Sequence, residues 1–186
     1  MSDLQESSRR VLYVITCATP AARDIGKLVT LAQDSGWRPF VIATPSALRF
    51  IDQAVLETQT GAAVRSEYKE PGSPDVLPPA DAIVVGGASF NTINKWAAGI
   101  SDTLALGLLT EGIGLGLPLA ALPFLNAAQA AHPAFGRSVK ELRQAGVKIL
   151  LGPEGYEPHV PHQGSKYLAR YPWHVVLAAV DQWGIS

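Results

Sequence analysis

A chain of 186 residues is long enough to bury a single sizeable core. With 47% hydrophobic and 17% charged residues and a formal net charge of −1, it offers no electrostatic case for nucleic acid or an anionic membrane. Its one cysteine, Cys17, excludes an intramolecular disulfide and a cysteine-based metal cage, which suits a reducing, cytoplasmic setting. The polar start, Met1 to Arg10, lacks the apolar run of a secretory signal and reads as a short flexible tail on one domain spanning residues 1–186.

Strand-like apolar runs then alternate with helix-period segments, the pattern of a parallel sheet flanked by helices. Val11–Thr16 is the first predicted strand, and Pro20–Asp34 the helix behind it, closed at Gly36. Phe40–Ala43 is the second strand, followed by Thr44-Pro45-Ser46 and a short helical stretch through Phe50. Gln53–Thr60 predicts a helix stopped by Gly61, and Val64 to Glu70 an irregular edge segment. Four prolines between Glu70 and Pro79 mark a loop. Ala82–Val85 is the third strand, with helices to follow over Phe90–Ala98 and Ser101–Gly112, the second capped by Ser101 or Asp102.

Leu119–Leu122 predicts the fourth strand, His132–Ala145 a helix closed by Gly146, and Val147–Leu151 the fifth strand. The apolar stretch Leu104 to Leu122 contains Glu111, Pro118 and several glycines, so it reads as helix, turn and strand rather than a membrane span. Residues 152–172 carry four more prolines and little periodicity, a long functional or contact loop, and Trp173–Trp183 closes the chain as a helix.

Ligands of such sheets bind beyond the carboxyl ends of the strands. The loops predicted there, around Cys17–Ala22, Thr44–Ala47, Gly86–Thr92, Pro123–Gln129 and Gly152–Pro161, are rich in small, hydroxyl, amide and proline residues. Thr16-Cys17-Ala18-Thr19-Pro20 has the layout of an anion-binding turn, and equally of an ordinary turn with Thr19 as helix cap. It lacks the spaced glycines of a dinucleotide fingerprint and the Gly-Lys-Ser/Thr of a P-loop. Thr44-Pro45-Ser46 repeats that layout, with Ser46 placed to cap a helix or to bond a phosphate oxygen. Pro123-Phe124-Leu125-Asn126 ends a strand on an amide that suits a carboxylate, a flavin edge or a simple turn. His132 reads as a capping residue, His159 and His162 as a solvated loop pair short of a metal site, and His174 as partly buried in the last helix. No serine is ordered beside a base in the manner of a triad.

Together these turns resemble the homo-oligomeric flavin-containing cysteine decarboxylases, the family of phosphopantothenoylcysteine decarboxylase and the peptidyl-cysteine decarboxylases of lantibiotic pathways. The family's Pro-Ala-Ser-Ala-Asn-Thr motif has its counterpart in Gly87-Ala88-Ser89-Phe90-Asn91-Thr92, continued through Gly99-Ile100-Ser101-Asp102. Its Pro-X-Met-Asn-X-X-Met-Trp motif is present, eroded, as Pro123-Phe124-Leu125-Asn126-Ala127-Ala128-Gln129-Ala130.

The resemblance implies an α/β fold, a Rossmann-like, flavodoxin-type doubly wound parallel sheet in three α/β/α layers. It implies FMN at a subunit interface and a trimer that can assemble further into a dodecamer. By position, Thr19, Thr44 and Ser46 would meet the FMN phosphate and ribityl chain. Ala88, Ser89, Asn91 and Thr92 would lie along the flavin ring, with Ser101 and Asp102 close to it. Asn126 would hold the carboxylate of a small-molecule or peptide substrate in an oxidative decarboxylation. Two departures stand out. The segment Gly72–Pro79 has no counterpart of the family's catalytic histidine, leaving Asp75 as the nearest candidate base, and residues 152–172 lack the cysteine of the phosphopantothenoylcysteine enzymes. A flavin-binding protein without decarboxylase activity, such as a sensor, carrier or regulatory subunit, is the alternative; no metal site is expected.

Overall fold

The computed structural model describes residues 9–74 and 77–183. At its centre is a five-stranded sheet in the order β2-β1-β3-β4-β5, all neighbours parallel. The strands are β1 (Val11–Thr16), β2 (Arg38–Ala43), β3 (Ala82–Ala88), β4 (Leu119–Pro123) and the short β5 (Lys148–Ile149). Strands β1, β3 and β4 are buried along their whole length, because helices cover both faces of the sheet. That is why they read as unbroken apolar runs instead of alternating ones.

Successive side chains feed opposite layers. Tyr13 and Ile15 of β1 join a cluster with helices α3 (Phe90–Ala97), α4 (Leu104–Gly114) and α6 (Pro133–Gln144), through Ile93, Leu109 and Val139. Leu12 and Val14 join the other, with α1 (Ile25–Asp34), α2 (Gln53–Thr60) and α8 (Trp173–Asp181), through Leu28, Leu56 and Val176. Two short helices, α5 (Ala127–Ala130) and α7 (Gly164–Leu168), sit in the loops after β4 and β5. The result is the doubly wound three-layer sheet that the sequence predicts. The strand order reverses between β1 and β3, which opens a crevice at their carboxyl ends.

Several local expectations change. The first predicted helix starts as a 3-10 turn over Pro20–Asp24. The cap of α4 is Thr103, whose hydroxyl accepts the Leu106 N–H at 3.3 Å, in place of Ser101 or Asp102. The predicted loop 152–172 contains α7 and a 3-10 turn, Gly152–Glu154. His174 is exposed rather than partly buried. Arg10, counted with the tail, is tied down: it lies 4.0 Å above the Trp37 ring and reaches Asp181 at 3.2 Å. The rest of the predicted tail, residues 1–8, and the candidate base Asp75 lie outside the described residues.

The end of β3 is irregular for a reason. Its register against β4 shifts between Gly86 and Ala88, and Gly87 there has φ +70°, a conformation that glycine alone adopts cheaply. The Gly87 N–H donates to the Tyr171 hydroxyl at 3.1 Å, and its carbonyl accepts from Thr19 Oγ1 at 3.1 Å. The bulge turns the chain into α3 and aims Ser89 and Asn91 at the crevice.

Candidate functional site

Two compartments open where the strands end. The first, about 440 Å³, follows β2 and β3 and is lined by Thr44, Ser46, Asn91, Lys95, Thr103 and Leu106. The second, about 370 Å³, follows β1 and β4 and is lined by Thr19, Phe124, Asn126, His159 and Ser165. Ala18, Ser89, Phe90 and Gln129 line both, so they form one divided cleft. Each volume lies within the range usual for small-ligand sites, roughly 300–1,000 Å³.

The dividing wall is held from beneath. Ser89 Oγ accepts the Thr92 N–H at 3.1 Å as the cap of α3 and lies 3.0 Å from Thr92 Oγ1. The Cys17 thiol donates to that same Thr92 oxygen at 3.3 Å. Cys17 is fully buried, and burial pushes its pKa up, so it stays a protonated packing group with no nucleophilic role. The Thr92 hydroxyl is thereby committed inward, and this residue meets the cleft as wall rather than as hydrogen-bond donor.

Several residues predicted for the site come together and others do not. Thr44, Ser46, Ser89, Asn91 and Thr92 share the first compartment. Thr19 faces the second, its hydroxyl spent on the Gly87 carbonyl. Thr19 stands at the N-cap of its 3-10 turn, as one of its two readings expects, but makes no side-chain cap bond. Ser46, the residue expected to cap the second turn, lies inside it, and Thr44 holds the N-cap there. Ala88 is wholly buried behind the wall and accepts the Phe124 N–H at 2.9 Å. Ser101 and Asp102 line neither compartment. The Ser101 hydroxyl donates to Thr110, and Asp102 pairs with Lys95, through which it reaches the cleft.

Asn126 stands at the tip of β4, half-buried, where it caps α5 in a reciprocal box with Gln129. Its neighbour across a parallel bridge is His159, which the sequence reading left in solvent. His159 is 7% exposed, and its carbonyl accepts the Ala127 N–H at 2.7 Å. Burial lowers its pKa, so the ring is neutral near pH 7. Nδ1 meets the Tyr156 hydroxyl at 2.5 Å, and Phe124, Tyr156 and Tyr167 surround the ring. His162 follows in the left-handed region with φ +67° and lines the same compartment.

Lys95, Thr103, Gln129 and His159 are among the lining residues that sequence reasoning missed. The spacing Asn126-x-x-Gln129 is a readable capping signal. For His159 no local signal exists, because a tertiary pairing 33 residues away puts it there. Among the described residues no group of three His, Cys, Asp or Glu side chains is arranged to hold a metal ion. No helix among them is long and apolar enough to cross a membrane.

A doubly wound α/β domain with a divided cleft at its strand switch point belongs to the ligand-binding class of such sheets. The Flavoprotein family model matches residues 2–181, and the chain belongs to that family. It is 30% identical over 122 residues to the coenzyme A biosynthesis bifunctional protein CoaBC of Bacillus subtilis (strain 168), covering 62% of this chain and 29% of that protein. The match therefore spans less than a third of the relative's length. Among solved structures the fold is similar to the cypemycin decarboxylase CypD, with TM-score 0.70, 18% identity and coverage of 94% of this chain and 93% of that one. For the FMN-dependent cysteine decarboxylase SpaF the TM-score is 0.67 with 22% identity over 94% and 98% of the chains. For the epidermin biosynthesis protein EpiD from Staphylococcus aureus it is 0.62 with 23% identity over 87% and 99%. These agree with the family resemblance carried by Gly87–Asp102 and Pro123–Ala130.

Proposed function

We propose that this flavoprotein binds FMN in the first compartment and oxidatively decarboxylates a small or peptidyl thiol-carboxylate, ending as a C-terminal cysteine does, in the second. The observation that carries this reading is the shared wall. A hydroxyl-rich compartment and the amide of Asn126 meet across Ser89, Phe90 and Gln129.

The donor set suits FMN. Thr44, Ser46 and Thr103 offer hydroxyls to a phosphorylated ribityl chain, and Lys95 is the one cationic side chain in the lining among the described residues. Ser89, Asn91 and Thr92 border the space for the ring, with Ala88 closing it from behind and Leu106 supplying an apolar contact. Ser101 and Asp102 act at one remove, Asp102 by holding Lys95. Thr19 shapes the wall through Gly87. When bound, the flavin supplies the two-electron acceptor that such a decarboxylation requires.

In the second compartment the chain's own residues bind and orient the substrate. The Asn126 amide donates to the carboxylate, while Phe124 and Leu125 keep water from it. Asp75 is the base this reading assigns to the substrate thiol. Homo-oligomers, with a trimer as the unit, fit the exposed Ile100 and Leu115 flanking α4. A cytoplasmic home fits the single buried thiol.

The test is mass spectrometry of peptides with a C-terminal cysteine incubated with the FMN-loaded protein. The expected product is lighter by carbon dioxide and two hydrogens; unchanged masses across a broad panel overturn the reaction. A protein that stays colourless after reconstitution with FMN overturns the cofactor. One observation favours a second reading, a flavin-binding protein without decarboxylase activity: residues 72–79 contain no histidine. Anaerobic bleaching of the flavin by a cysteine peptide, and not by NAD(P)H, separates the two.

A further inference from the structure

At Asn126 and Gln129 both side-chain oxygens are engaged and the donors are left over. The side-chain oxygen of Asn126 accepts the Gln129 N–H at 2.9 Å, and that of Gln129 accepts the Asn126 N–H at 3.2 Å. A backbone N–H must meet an oxygen, so the free ends of both side chains are NH2 groups. Both side chains line the second compartment.

His159 extends this arrangement. The Tyr156 hydroxyl on Nδ1 has no other hydrogen-bond partner among the described residues, and Tyr156 is 4% exposed. It therefore acts as the donor, because accepting from Nδ1 would bury its own O–H unpaired. A neutral ring that accepts at Nδ1 carries its proton on Nε2. That Nε2–H makes no hydrogen bond among the described residues, although the side chain is more than nine-tenths buried. It faces the Gly164 edge of the compartment: a methyl group built on Gly164 would lie 2.9 Å from it.

We propose that His159 is a specificity-determining residue, its Nε2–H joining the amide NH2 groups of Asn126 and Gln129 in a donor-only clamp for a carboxylate. Tyr156 is the positioning residue that fixes the ring's tautomer. Among the described residues the compartment's lining has no lysine or arginine, and its apolar part includes Phe90, Phe124 and Leu125. A singly charged, planar acceptor with two oxygens matches such neutral donors. They orient the group without the strong ground-state stabilisation that a cation would give to a carboxylate that must leave as carbon dioxide. The inference rests on the second compartment being the substrate side, but it does not require a thiol.

The experiment is calorimetric titration of the FMN-loaded protein with N-acetylated tripeptides ending in cysteine or alanine, each as free acid and as C-terminal amide. Wild type is expected to prefer the acids at least about tenfold, the value of one to two hydrogen bonds. His159→Phe keeps a ring without the N–H and should lose most of that preference. His159→Gln places an amide NH2 near the Nε2 position and should restore it, while Tyr156→Phe should show an intermediate loss. Undiminished acid preference in His159→Phe, or none in wild type, overturns the clamp. Acid preference with both peptides but no mass loss from the cysteine acid overturns the decarboxylation and leaves the clamp standing.

Discussion

Tyr171 holds Gly87 in place: its hydroxyl accepts the Gly87 N–H at 3.1 Å and donates to the Leu122 carbonyl at 2.6 Å. One phenol thus ties the bulge of β3 to the end of β4, on either side of the cleft's dividing wall. Burial raises the Tyr171 pKa well above its usual value, so the proton needed for the Leu122 bond stays in place. Tyr171→Phe leaves a buried N–H and a buried carbonyl short of a partner and should cost roughly 1–3 kcal/mol. Denaturant unfolding measures this, and FMN affinity should fall with it, since the wall loses its strut. Wild-type stability in the variant would show that the bond contributes nothing.

Gly87 itself is the next test. A side chain there would combine a strained φ with a methyl group 2.8 Å from Thr19 Oγ1 and 3.1 Å from Ala21 Cβ. Gly87→Ala should therefore destabilise by about 1–3 kcal/mol, more than a helical Gly→Ala exchange, which usually stabilises. Gly136→Ala, in α6 with open space around it, is the matched control, and thermal melts of the pair decide. Equal melting temperatures would remove the strain argument.

The fold was legible because its signals are local and repeated. Strands such as Val11–Thr16 announce themselves as apolar runs, and α2 stands where Gln53–Thr60 and Gly61 predict it. Thr44, Ser46 and Asn91, which line the first compartment, were readable as candidates for the same reason: Thr44 and Ser46 follow β2 directly, and Asn91 lies in the first turn of the helix after β3. His159 was not. Its burial comes from Phe124, Tyr156 and Tyr167, and its register from a bridge to Asn126, none of which leaves a mark in the residues beside it. Thr103 was missed by one turn residue, because Ser101, Asp102 and Thr103 all cap well and only packing chooses among them.

Cys17 should behave as a buried packing group. Its thiol is fully enclosed and its pKa is raised by burial, so native protein should leave a disulfide reagent such as dithionitrobenzoate unreacted. One equivalent should react once denaturant unfolds the chain. Rapid modification of the native protein would overturn both the burial and the inert role given to the thiol.

Ser46 tests the location of the cofactor phosphate. It lies in the first compartment beside Thr44, and a carboxylate there would face the phosphate dianion. Ser46→Asp should weaken FMN at least about tenfold, since opposed like charges cost more than one kcal/mol in a half-enclosed site. Fluorescence titration of the flavin-stripped protein measures it. Unchanged affinity would move the phosphate away from the turn after β2.

The buried imidazole of His159 gives the fold a pH dependence with a definite sign. Burial lowers its pKa below 6.5, and the groups facing it are Tyr156 on Nδ1, Tyr167 beside the ring and His162 across the compartment. Between the folded value and 6.5 the unfolded chain holds a proton that the folded chain does not. Stability therefore rises with pH through that interval and is full above about pH 6.5. Acidification should erode the wild type more than His159→Gln, whose side chain does not titrate, because the rest of the chain is common to both. Urea midpoints taken from about pH 8 to about pH 5 should converge toward, or cross, those of the variant. A constant separation across that range would mean that His159 takes up its proton as readily in the fold as in the unfolded chain.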